Sequence, residues 1–132
     1  MKPILIVTAL ATIGLTLPLS AQPRDVRYAA CKATAGGVTT ALRACDAGEL
    51  AARDRALNVL YQQVMAALPS ARRIGLRAAQ RAWLGFRDAE CAFRRSADEG
   101  GTDAVLIAGT CRIELTVARS EELRKALRVA QF

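Results

Sequence analysis

The sequence predicts an all-α fold: a small antiparallel three-helix bundle with a short, disulfide-tethered N-terminal segment. Three observations carry this. Apolar residues recur at steps of three and four over three long stretches. Turn signals divide these stretches at Pro69-Ser70 and at Glu99-Gly100-Gly101-Thr102. No segment shows the strict apolar–polar alternation of a half-buried strand, and no internal repeat is present.

Residues 1–21 stand apart from the rest. Lys2 is followed by an uncharged apolar run from Ile4 to Leu19 and then by Ser20-Ala21, the pattern of a secretory signal cleaved after Ala21. The run is long enough to span a bilayer, but Gly14, Pro18 and the small-residue exit favour cleavage over a retained anchor. The expected mature domain is therefore 22–132, of 111 residues. A domain of that size has one modest core and gains from covalent staples.

Residues 22–30 are polar, contain Pro23 and read as an extended lead-in. Between Cys31 and Cys45, Gly36-Gly37 suggests a short helix or turn on either side of a glycine break. The first long helix is expected near Asp46 or Gly48. Asp46 would be its N-cap, with Glu49 at the capping-box spacing. Leu50, Leu57, Tyr61, Val64 and Leu68 form its core face. Asp54 falls on that face and needs a partner if buried; Arg81 or Arg87 of the next helix can supply one.

Ser70 is placed to cap a second helix from about 71 to 97. Leu76, Gln80, Trp83, Leu84, Arg87 and Cys91 share one face of it. The lone Trp83 and the covalent attachment point at Cys91 make this the expected central helix. Beside Trp83, Gly85 lacks a side chain where another helix could approach. After the glycine turn, Thr102 or Asp103 caps a third helix to about Ala130. Its apolar positions include Val105, Leu106, Ile113, Thr116, Leu123 and Leu127.

Four cysteines in an exported chain read as two disulfides, with three possible pairings. Cys91 and Cys111 lie almost equally far from the Gly100-Gly101 turn, so a 91–111 bridge across the helical hairpin is natural, with 31–45 as its companion. The rival, 31–91 with 45–111, would tie the N-terminal segment onto the hairpin. The chain has no His and no Cys-x-x-Cys pair, which argues against a zinc site, a thioredoxin-like motif and any His-based triad. Asp88 and Glu90, two residues apart, project from different helix faces and make a poor acid/base pair. No phosphate loop is present. The expectation is a non-enzyme without cofactor or metal.

Without Lys2 the mature part carries 18 basic and 12 acidic residues, a net charge of +6. Arg supplies 16 of the 19 basic residues of the whole chain. No basic block of five occurs and aromatics are scarce, so nucleic acid is not an expected partner. The charge fits anionic envelope polymers, lipids or another protein.

Several motifs resemble those of the lysozyme inhibitor LprI-like N-terminal domain family. Asp54, Leu57, Asn58 and Tyr61 match its D-x-x-L-N-x-x-Y pattern. Gln80, Arg81, Trp83, Leu84, Phe86, Arg87, Asp88 and Cys91 match Q-R-x-W-L-x-F-R-D-x-x-C. Gly100-Gly101-Thr102 is similar to its Gly-Gly turn. Cys111, Leu115, Thr116, Arg119 and Leu123 are similar to its last helix, and Cys31 and Cys45 to its early cysteines. The resemblance implies an exported, helical, disulfide-bonded domain and, less directly, inhibition of a lysozyme-like hydrolase. No Cys directly follows the apolar run, so the chain departs from the lipoprotein members. It is expected in the periplasm or secreted, without a stable membrane anchor. The polar motif residues Asp54, Asn58, Arg81, Arg87, Asp88 and Arg119 read first as contacts fixing helix packing, and second as a partner site. Candidate partner-binding residues at the hairpin turn are Arg94, Arg95, Asp98 and Glu99.

Overall fold

A computed structural model describes residues 24–96 and 101–131. These residues form four helices: α1 (Arg24–Ala35), α2 (Thr39–Ala67), α3 (Ser70–Ser96) and α4 (Ala104–Ala130). The all-helical expectation holds, but the count is four rather than three. The tethered N-terminal segment is itself a helix. Arg24–Ala35 is rich in Ala and has no internal Pro, and Pro23 precedes it where it interrupts nothing. The expected extended lead-in thus gives way to α1 from Arg24 onward. The expected signal segment, 1–21, lies outside the described residues.

α2 also starts earlier than its capping signals suggested. The break falls at Gly36 and Gly37, whose φ angles of +56° and +82° suit glycine. From Thr39 the helix runs through Gly48 without interruption. Asp46 is therefore not a cap but a buried mid-helix residue. At the other end the chain turns at Leu68-Pro69, where the Pro69 carbonyl accepts the N–H groups of Arg72 and Arg73. Ser70 is the first residue of α3 rather than the residue before it. Asp103 is the N-cap of α4, with no hydrogen bond from its side chain.

α1 runs antiparallel to α2, and α3 runs antiparallel to both α2 and α4. α4 packs against α2 and α3, and α1 packs on α2. The core lies at one end of the α2–α4 seam, where Leu57, Leu60, Val64 and Leu68 meet Leu123. Trp83, Leu76 and Tyr61 pack on its edge, half-buried. The central helix is thus α4, not α3. α4 buries seven residues, among them Ile113, Thr116 and Leu123, whereas α3 buries Arg87 and Cys91.

Both disulfides follow the first pairing: Cys31–Cys45 joins α1 to α2, and Cys91–Cys111 joins α3 to α4. The expected helix approach at Gly85 does not occur within this chain; a side chain there would meet nothing. Close approach occurs instead at Gly109 of α4, where a Cβ would sit 2.8 Å from Asp46 Oδ2. Glycine there lets α4 lie against α2 at the buried carboxylate.

Candidate functional site

The motif residues of α2 and α3 meet across one open groove. Asp54, Leu57, Asn58 and Tyr61 recur at steps of three and four, so α2 presents them together. α3 answers with Arg77, Gln80, Arg81, Leu84 and Arg87. The groove encloses about 320 Å³. Its walls are mixed: Leu57, Tyr61 and Leu84 give apolar surface, and the guanidinium and amide groups give donors.

Arg87 forms the floor. Its Nη1 donates to Asp54 Oδ1 at 2.7 Å and to Thr116 Oγ1 at 2.9 Å, linking three helices in one layer. The Thr116 hydroxyl in turn donates to the Arg112 carbonyl. Arg87 thus supplies the partner that Asp54 needs; Arg81 stays exposed at the groove rim. Trp83 lies between two cations, the guanidiniums of Arg87 and Arg119, 5.1 and 6.0 Å from its ring. Arg119 Nε donates to Gln80 Oε1 at 3.1 Å and its Nη1 pairs with Glu122 at 2.7 Å. Most of the polar motif thus stitches α2, α3 and α4 together, while Asn58 and Arg81 remain exposed. Asp88 is exposed too, 3.8 Å from Arg87 Nε and 3.7 Å from Arg112 Nε.

Of the residues expected at the hairpin turn, Arg94 and Arg95 do not converge. Arg94 pairs with Glu90 at 2.9 Å and Glu114 at 3.5 Å, beside an open hollow of about 520 Å³ against α4. Arg95 points elsewhere, into a hollow of about 280 Å³ that it shares with Arg43, Asp46 and Arg112. Asp98, Glu99 and Gly100 lie outside the described residues. Gly101 is exposed, and its carbonyl accepts the Ala104 N–H.

A second polar cluster, unforeseen from sequence, fixes α1. The Tyr28 hydroxyl donates to Asp46 Oδ1 at 2.6 Å, and Lys32 Nζ lies 3.3 Å from Tyr28 Oη and 3.4 Å from Asp46 Oδ1. Burial, then the hydrogen bond to Asp46, raises the Tyr28 pKa. Burial alone would lower the Lys32 pKa, but its bond to Tyr28 and the Asp46 charge outweigh this and raise it. Beside them Arg53 joins buried Glu49 to Asp25 of α1; burial opposes its charge, but the two carboxylates raise its pKa. The clue in the sequence was the helical spacing of Tyr28 and Lys32, which places both on one face.

Among the described residues no group of three or more His, Cys, Asp or Glu side chains could hold a metal ion, and no helix is long and apolar enough to cross a membrane. None of the four cysteines is free. Fold and site define a small, doubly disulfide-bonded helical protein with an open groove between two helices. The sequence profile of the lysozyme inhibitor LprI family matches residues 31–123, and the chain belongs to that family. It is also similar to an uncharacterized protein of Rhizobium meliloti (strain 1021), 30% identical over 103 residues, which span 68% of this chain and 74% of that protein. No solved structure matches the chain significantly.

Proposed function

We propose that the protein is an exported binding protein that inhibits a lysozyme-like hydrolase of the cell envelope and catalyses no reaction itself. The family match over 31–123 is the observation that carries this reading. Export rests on the apolar run from Ile4 to Leu19, with cleavage after Ala21, and on the two disulfides, which suit an oxidising compartment. The site is periplasmic or extracellular. Inhibition needs a rigid projection that blocks an acidic cleft, with a guanidinium to pair with catalytic carboxylates. Arg81 at the groove rim is exposed and makes no ion pair among the described residues. The competing contact is at the hairpin end, through Arg94 or Arg95. The charge of +6 opposes long-range attraction to a basic lysozyme, so recognition would rest on short-range contacts that survive salt.

The test is inhibition of cell-wall lysis by oxidised 22–132 across lysozyme types and salt concentrations, with reduced and alkylated protein as control. Saturable, fold-dependent inhibition at high salt is expected. Loss on Arg81→Ala would place the contact at the groove; loss on Arg94→Ala or Arg95→Ala would place it at the hairpin end. Absence of inhibition toward every lysozyme type sinks the reading.

The alternative is binding of anionic envelope polymer or lipid. One feature favours it: Arg43, Arg95 and Arg112, from three helices, surround the hollow of about 280 Å³. Binding there would fall steeply with added salt.

A further inference from the structure

The outer face of α3 has no partner within the chain. At about 100° per residue, roughly 140° of the helix surface from Ala71 to Ser96 carries no charged side chain. Ile74, Ala78, Ala82, Phe86, Ala89 and Phe93 lie on it, all exposed, with Ile74 and Phe93 each 71% accessible. Side chains built at Gly75 and Gly85 on this face would meet open space. α4 shows what a solvated face looks like in the same protein: its exposed positions include Glu114, Glu121, Glu122, Arg124, Lys125 and Arg128. In a chain this rich in Arg, a charge-free helix face with two exposed phenylalanines is the exception.

We propose that this face is a self-association surface, on which a second copy packs its own α3 antiparallel, with Ala82 at the two-fold axis. The register follows from shape. With Ala82 facing its counterpart, each Phe86 falls over the hole between Gly75, Ala78, Ala79 and Ala82 of the other copy, four small residues at knobs-into-holes spacing. Ile74 falls over the matching hole at Gly85, Asp88, Ala89 and Ala92. One flank then agrees. In an antiparallel pair related by a two-fold axis, each flank meets the same flank of its partner. On one flank Arg72 comes within two residues' rise, ~3 Å, of Glu90 of the other copy, twice by symmetry. Arg72 makes no ion pair within its own chain among the described residues. The two Arg81 side chains flank the axis and turn away into the α2–α3 groove.

The area suffices. α3, with 27 residues, is ~40 Å long, and a helix is ~12 Å wide, so each copy covers ~500 Å² and the pair ~1,000 Å², the threshold for a specific interface.

The experiment is sedimentation velocity and equilibrium on oxidised 22–132 over a wide concentration range. A reversible dimer with a Kd on the order of micromolar is expected. Ala82→Arg places two like charges at the axis and should raise Kd by ~100-fold or more. Phe86→Ala removes the knob from each hole and should raise it by ~10-fold. Ala82 and Phe86 are exposed, so the variants should fold, as circular dichroism will check. A monomer at ~1 mM overturns the proposal. So does a dimer indifferent to Ala82→Arg or to Phe86→Ala. A monomer whose binding to a lysozyme or to phosphatidylcholine vesicles is lost on Ala82→Arg would also overturn it, and would assign the face to that occupant.

Discussion

α2 and α4 are joined by apolar burial, whereas α1 and α3 are pinned to them by one disulfide each and by polar contacts. Leu57, Leu60, Val64 and Leu68 of the α2 side close on Leu123 of α4. The flanking helices bury little: Ala35 in α1, and Arg87 with Cys91 in α3. Instead α1 has Cys31–Cys45 and the Tyr28–Lys32–Asp46 cluster, and α3 has Cys91–Cys111 and the Arg87–Asp54–Thr116 layer. A domain of this size gains an inner pair from the hydrophobic effect, and outer helices through staples and directed bonds. The cost of leaving those outer helices half-wet is small, and the benefit is open surface: the groove and the bare face both belong to α3.

The comparison breaks if damage to the two pairs looks alike. Leu123→Ala truncates the largest fully buried side chain of the inner seam, 2% accessible, and should cost about 4 kcal/mol. Chemical denaturation should show one cooperative loss of all helix. Cys91→Ala with Cys111→Ala opens a link spanning 20 positions and should cost about 3 kcal/mol in the chain-entropy model. Here the pattern matters more than the size. Hydrogen exchange should rise first in α3, while the amides of Leu60 and Val64 in α2 stay protected. Equal loss of protection in α2 and α3 would mean that α3 is an integral core helix after all.

The same contrast explains what was legible in the sequence. The helical periodicity, the break at Pro69 and the cross-hairpin bridge were readable because each is local or fixed by distance from a turn. The role of α3 was not. Its apolar stripe stands out because the rest of the helix faces water, and that clarity marks a peripheral helix. α4 touches neighbours on several sides, so its pattern blurs, as expected of a central helix. Asp46 misled for a related reason. Its type and its spacing to Glu49 suit a cap, but α1, only twelve residues long, folds back and covers it with Tyr28 and Lys32. A tertiary partner turned a capping signal into a buried anchor. Of the groove, Asp54 with Arg87 was foreseeable from charge pairing; that the motif halves of α2 and α3 leave a gap between them was not, because spacing shows faces and not distances between helices.

The smallest effect sharpens the comparison at α1. Tyr28→Phe removes the hydroxyl that donates to Asp46 and leaves that buried oxygen to Lys32 alone, a loss of about 1 kcal/mol near neutral pH. The pH dependence carries the sign. The folded state raises Tyr28 above its ordinary 10.0, through burial and then the bond to Asp46, and raises Lys32 above 10.5 against the effect of burial. Folded protein therefore holds these protons more tightly than the unfolded chain. Their contribution is complete below the unfolded values and falls as pH rises through 10.0 and 10.5 toward the higher folded values. The denaturant midpoint should thus drop between about pH 7 and about pH 11 for the wild type, and drop less for Tyr28→Phe, in which only Lys32 of the pair still titrates. An identical alkaline drop in both proteins would show that Tyr28 does not help hold α1, leaving the Cys31–Cys45 bridge and the Arg53 pairs as its attachment.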